Sequence, residues 1–171
     1  MGQDELYRET ADSYGAAMER LARAYEADAD RRGDLVQEIH IALWRSFAKF
    51  DGRCSLRTWV YRVAHNAATS YVIRQRRNNA PLVSLEEFDA LPDSGAGEAT
   101  ADRNRALERL LELIQRLKPL DRQVILSYLE GLDAVSIGEI TGISARNVAT
   151  KIHRIKQILT RQFHEGVRHA E

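Results

Sequence analysis

Apolar side chains recur along this chain at spacings of three and four, the signature of amphipathic helices. Tyr14, Met18, Leu21 and Tyr25 form one such stripe. Leu35, Ile39, Leu43 and Phe47 form a second, after a polar break from Asp28 to Gly33. A third runs through Leu56, Val60, Val63 and Ala67, with Trp59 at its flank, Ser55 placed to cap it, and a basic cluster at Arg74, Arg76 and Arg77 beyond it. Three helices within residues 1–80 can close a small bundle. The pattern then changes. Pro81 and Pro92 bracket Leu82, Val83, Leu85, Phe88 and Leu91, and Ser94 to Gly97 follow. The glycine-rich end reads as linker, whereas the apolar start predicts docking on another surface. Helical spacing resumes with Leu107, Leu110, Leu111, Ile114 and Leu117, is broken at Pro119, and returns in a short helix with Val124, Ile125, Tyr128 and Leu129 that ends near Gly131. No alternating strand pattern of useful length appears. The chain is therefore expected to be all-α, with two small helical domains, 1–80 and 105–171, joined by a linker over 81–104.

Charge sharpens that division. The 171 residues carry 25 basic and 25 acidic side chains, which excludes a uniformly basic nucleic-acid coat. The balance is +2 over residues 1–80, −5 over 81–104 and +3 over 105–171, so an acidic connector joins two mildly basic blocks. Cys54 is the one cysteine, which rules out an internal disulfide and a cysteine-based zinc site. Its loop position suits either an inert thiol or a redox role. No stretch is apolar enough to span a bilayer, and Met1 to Glu5 lack the basic and apolar regions of a secretory signal. A cytoplasmic protein without membrane insertion is expected. Neither a nucleophile–base–orienter set, a Gly-rich phosphate loop nor a metal-ligand spacing is present, so no catalytic residue, cofactor or metal is expected.

The stretch from Val135 to Leu159 has the spacing of a helix-turn-helix. Gly138 lets the two helices approach, Gly142 supplies the positive φ of the turn, and Ser144 can cap the second helix. Val148, Ile152, Ile155 and Leu159 bury one face of that helix, and the other carries Arg146, Asn147, Thr150, Lys151 and Arg154. These are residue types that read base edges or hold phosphates in a major groove. A basic helix face by itself is equally a solvated surface. The motif is shared by repressors, activators and polymerase specificity subunits, so the first block has to decide among them.

Asp34-Leu35-Val36-Gln37-Glu38, Leu43-Trp44, Phe50 and the run Thr58 to Asn66 closely resemble region 2 of extracytoplasmic-function sigma factors, a group of the sigma-70 family. Leu117 to Gln123 with the helix-turn-helix resembles their region 4, and acidic or polar connectors between the two are usual there. The resemblance spans nearly the whole chain in the right order. It implies an alternative RNA polymerase sigma factor that binds core polymerase and directs initiation from promoters with −10 and −35 elements. Asp34, Gln37 and Glu38 would meet the β′ clamp helices, region 4 the β flap. For the −10 element it implies the loop Phe50 to Ser55, with Arg53 and Ser55, followed by Arg57, Tyr61, Arg62, Asn66, Arg74, Arg76 and Arg77. Ser144, Arg146, Asn147, Thr150, Lys151 and Arg154 would meet the −35 element. Trp59 and Tyr61 suit a bundle core as well as a DNA face, and Trp44 suits a core or the clamp surface. The connector would thread toward a basic channel of the polymerase, its carboxylates mimicking nucleic acid. An anti-sigma protein is a further partner that the family implies.

His40, His65 and the residues Ala145 to Lys151 depart from the common family pattern, so the resemblance assigns no role to the histidines and no promoter sequence. The competing class is a conventional helix-turn-helix regulator, whose first block would dimerise or sense a ligand and which would bind a symmetric operator without polymerase.

Overall fold

A computed structural model describes residues 2–75 and 101–168. Among them are seven α-helices and no strand. The first block is α1 (Gln3–Tyr25), α2 (Ala29–Phe47) and α3 (Leu56–Gln75); the second is α4 (Ala101–Arg116), α5 (Pro119–Leu129), α6 (Ala134–Thr141) and α7 (Ala145–Arg168).

The first two stripes read from the sequence become a buried seam, whereas of the third only Val60 is fully buried, and Leu107, Tyr128 and Leu129 of the second block are exposed. Met18, Leu21 and Tyr25 of α1 face Leu35, Ile39, Leu43 and Phe47 of α2, all nearly or fully buried. The polar break between α1 and α2 is shorter than its composition suggests. Asp28 accepts a hydrogen bond from the Arg31 backbone N–H at 3.0 Å and so starts α2 at Ala29, which leaves Gly33 inside the helix. That N–H, ahead of a small opposing effect of burial, holds the Asp28 carboxyl below its ordinary pKa. Ser55 caps α3 as expected, accepting from the Thr58 N–H at 3.0 Å.

The burial of α3 goes well beyond one stripe. Val60, Tyr61, Ala64, His65, Ala68 and Tyr71 are all buried. The reason is tertiary: α3 packs on α1 and α2 with one side and on α5 and α6 with the other. The cores of both blocks therefore form one continuous cluster, in which α4 also lies against α1. Polar contacts line the seam. The Arg122 guanidinium sits 4.9 Å from the centroid of the Tyr25 ring, the Gln123 side chain donates to Thr69 Oγ1 at 3.1 Å, and that of Gln115 donates to the Arg23 carbonyl at 3.2 Å. Helix α4 begins at Ala101, so the last four residues of the expected linker are helical; residues 81–100 lie outside those described.

In the second block, Pro119 occupies the first turn of α5, where its missing N–H costs nothing, and Gly131 closes that helix at φ +77°. Asp133 caps α6 by accepting from the Ser136 N–H at 2.7 Å. Gly142 follows α6 at φ +79°, and the Asn147 N–H donates to Ser144 Oγ at 3.2 Å to start α7. The crossing of α6 and α7 depends on Gly138, where a Cβ would lie 2.7 Å from the Ile143 carbonyl oxygen. A backbone atom cannot swing aside as a side chain can. Gly138→Ala is therefore expected to destabilise the block by about 1–3 kcal/mol, the usual cost of forcing extra volume into a packed contact. Urea denaturation followed by circular dichroism measures it; an unchanged midpoint would mean that the turn is compliant.

Candidate nucleic-acid interface

The helix-turn-helix presents its outer face through α7. Val148, Ile155, Ile158 and Leu159 are buried against α5 and α6, which turns Arg146, Asn147, Thr150 and Arg154 outward, all exposed. Ser144 is exposed at the start of α7 and is spent on its own helix cap. The Thr150 hydroxyl donates back to the Arg146 carbonyl at 3.0 Å. Lys151 differs from its neighbours. Its Nζ lies 2.7 Å from Oδ1 of Asp121, a carboxylate that is 8% exposed at the first turn of α5. Lys151, expected to meet the −35 element, is 30% exposed and also joins α7 to α5. It sits at the edge of the apolar face, one turn from Val148 and Ile155, where a long flexible stem reaches a neighbouring helix.

The second candidate surface surrounds the loop between α2 and α3. Phe50 is anchored there, its ring 5.3 Å from Trp59 and 6.5 Å from Phe47 between centroids. Trp59 in turn donates its indole N–H to Ser46 Oγ at 2.9 Å, so it packs beneath the loop. Gly52 turns the loop at φ +74°. Arg53 is 89% exposed and pairs locally with Asp51 at 3.0 Å. Ser55 and Asn66 are exposed, and Arg62 is half-buried, its Nε without a hydrogen-bond partner among the described residues. Arg74 pairs with Glu38 across α2 and α3. Arg76 and Arg77 lie outside the described residues.

Arg57 and Tyr61 are engaged by the other block. Glu130, at the end of α5, accepts two parallel hydrogen bonds from Arg20 of α1, both 2.8 Å, and one from the Tyr61 hydroxyl at 3.0 Å. The Arg57 guanidinium donates to the Glu130 carbonyl. The Arg20 hydrogen bonds lead in holding the Glu130 carboxyl below the ordinary carboxylate range, against an opposing effect of burial. Burial first, then the Glu130 charge, raises the Tyr61 phenol above its ordinary value. Beneath this cluster the His65 ring is fully buried between Tyr25 Oη and Ser127 Oγ, at 3.0 and 3.1 Å. Burial pushes its pKa down to about 3, so the ring is neutral. Arg20, Ser127 and Glu130 escaped the sequence reading because their partners lie 62 to 110 residues away. No local spacing signals such a pairing.

The third surface is the outer side of α2. Asp34 and Gln37 are exposed and Glu38 is half-buried. Ile41 and Trp44, each 43% exposed, continue the same helix, with the Trp44 indole N–H donating to Asp4 at 2.9 Å. No helix among the described residues is long and apolar enough to cross a membrane.

Residues 10–78 match the family model for Sigma-70 region 2, and residues 107–159 that for Sigma-70, region 4. The chain is 31% identical to the ECF RNA polymerase sigma-E factor of Haemophilus influenzae over 134 residues, covering 74% of this chain and 71% of that protein. It is 22% identical to the ECF RNA polymerase sigma factor SigW of Bacillus subtilis over 175 residues, covering 96% of this chain and 92% of that one. Among solved structures, the sigma factor RpoE of Bartonella quintana, in complex with the anti-sigma factor NepR, superposes with a TM-score of 0.64 at 16% identity, covering 92% of this chain and 96% of that one.

Proposed function

This chain belongs to the extracytoplasmic-function sigma factors of the sigma-70 family, and from that premise we propose how its surfaces divide the work. A sigma factor binds core RNA polymerase and promoter DNA and is an initiation factor rather than an enzyme. The outer face of α7, with Arg146, Asn147, Thr150 and Arg154, reads the −35 element. The loop Phe50 to Ser55, with Arg53, Arg57, Tyr61, Arg62, Asn66 and the basic end of α3, holds the opened −10 strand, where an exposed glycine turn and adjacent polar groups suit a splayed single strand. Asp34, Gln37 and Glu38 dock on the β′ clamp helices, region 4 meets the β flap, and the acidic connector enters the basic interior of the enzyme. The reading also includes an anti-sigma protein as partner, as in the Bartonella complex, and a cytoplasmic location.

The observation that carries the reading is the pairing of a helix-turn-helix whose outer face is exposed and polar with a three-helix bundle bearing a Gly-turned, aromatic-anchored loop. A conventional regulator has no use for the second surface. The test is transcription by bacterial core polymerase supplemented with this chain on a pool of genomic fragments. Discrete starts sharing paired upstream elements are expected. Asn147→Ala should then relax discrimination at one −35 position by about 1–3 kcal/mol, the worth of a bidentate base contact. A loss equal across all promoters would place Asn147 on the backbone instead. Binding to a symmetric operator without polymerase would overturn the reading.

A further inference from the structure

The carboxylate of Glu130 is held by the first block: Arg20 of α1 donates two hydrogen bonds to it and the Tyr61 hydroxyl of α3 one, while Arg57 of α3 donates to the Glu130 backbone carbonyl beside it. We propose that Arg20 and Tyr61, with the Arg57 guanidinium beside them, form a binding site for one DNA backbone phosphate, in the place that the Glu130 carboxylate occupies while the two blocks are docked. The inference deepens the −10 reading proposed above and rests on it; Arg20 is the residue it adds.

Three observations support it. First, the donor set suits a tetrahedral oxyanion as well as a carboxylate, since the guanidinium fork pairs bidentately with either and a phenol supplies a further donor. Second, the occupant comes from the far side of the connector, so it leaves whenever the blocks separate. Separation is required for promoter reading. Elements named for positions about 25 base pairs apart lie about 85 Å apart along B-DNA, whereas a compact chain of this length has a radius of gyration of about 16 Å. Once Glu130 has gone, the Arg20 guanidinium and the Tyr61 hydroxyl lose the carboxylate they share and Arg57 loses its carbonyl acceptor, donors that an incoming anion satisfies. Third, the pocket lies in line with the −10 surface. Arg57 is the second residue of α3, directly after the loop Gly52 to Ser55, and Tyr61 lies one turn further along the same helix. The Arg20 side chain remains 61% exposed at the pocket rim, so the site is reached from solvent.

The test uses the full chain and a fluorescein-labelled dT20 strand, which reports backbone contacts without promoter sequence. Glu130→Ala is expected to bind dT20 about tenfold more tightly than the wild type, the factor one charge-assisted contact supplies. Adding Arg20→Ala should cancel that gain and flatten the dependence of log K on log salt by about 0.7, the increment for one phosphate on a single strand. Glu130→Gln, which keeps the side-chain shape and removes the charge, should fall between wild type and Glu130→Ala and serves if alanine weakens the fold. An affinity of both Glu130 variants equal to the wild type overturns the proposal. So does a gain that survives Arg20→Ala, since the phosphate would then bind elsewhere. Neither result involves polymerase. The wild-type chain assayed with core enzyme scores the sigma-factor reading separately.

Discussion

His65→Ala is expected to destabilise the chain by about 3 kcal/mol, because the substitution leaves a cavity and strips two buried hydroxyls of their partner. The ring joins Tyr25 Oη of α1 to Ser127 Oγ of α5, so it ties both blocks to α3. Its protonation should matter as much as its removal. Burial lowers the His65 pKa to about 3, against about 6.5 in the unfolded chain. Below pH 6.5 the unfolded state therefore takes up a proton that the folded state refuses, and stability falls at up to about 1.4 kcal/mol per pH unit until the folded pKa is reached. The contribution is fully present above pH 6.5 and is lost between there and about pH 3. Asp28, Glu130 and Asp133 all have lowered carboxyl pKa values, so their contributions are present above the ordinary carboxylate range and are lost as pH falls through it toward their folded values. Urea denaturation at pH 7.5, 6.5 and 5.0 isolates the histidine. The wild type should lose about 2 kcal/mol between pH 7.5 and 5.0, and His65→Gln, which retains hydrogen-bonding groups without titrating, should lose little. A flat wild-type profile would show that the ring is solvated in solution and the blocks are undocked.

His65 also marks the limit of what the chain announces about itself. The intrablock stripes were legible because a helix buries residues three and four apart, and the same arithmetic located the turn at Gly142 and the caps at Ser55 and Ser144. Helix α3 was legible on one side only. Tyr61 and His65 are bonded to Glu130 and Ser127, more than 60 residues away, and a helix packed on two sides has no polar face to set off the apolar one. For Trp59 and Tyr61 the sequence left core and DNA roles open. The structure packs Trp59 under the loop and places Tyr61 at the seam between blocks, bonded to Glu130. The site was legible where chemistry is local, as along α7. It was not where charge pairs across the fold, as at Arg20 and Glu130.

Lys151 is the position at which these two kinds of information separate most sharply, and its replacement by methionine is expected to act on stability before it acts on DNA. The methionine stem covers the same apolar surface as the lysine, so packing is largely kept. What disappears is the ammonium 2.7 Å from Asp121, whose side chain is only 8% exposed. Removing one partner of a buried pair leaves the other desolvated without compensation, a loss of about 3–5 kcal/mol when burial is complete. Lys151 is 30% exposed and Asp121 lies in the first turn of α5, where the helix dipole favours an anion, so a smaller loss of about 2–3 kcal/mol is expected. Asp121→Asn combined with Lys151→Met removes both charges and should recover most of that stability. Denaturation midpoints of the two single variants and the double variant give the coupling directly, and additive losses would show the pair to be incidental. Promoter binding supplies the complementary measurement. If Lys151 acts through Asp121, the weakened −35 binding of Lys151→Met follows loss of folded protein and returns in the double variant. If instead it reaches DNA once α7 enters the groove, the double variant regains stability but remains defective, with a salt dependence shallower by about 0.9, the increment for one phosphate of duplex DNA.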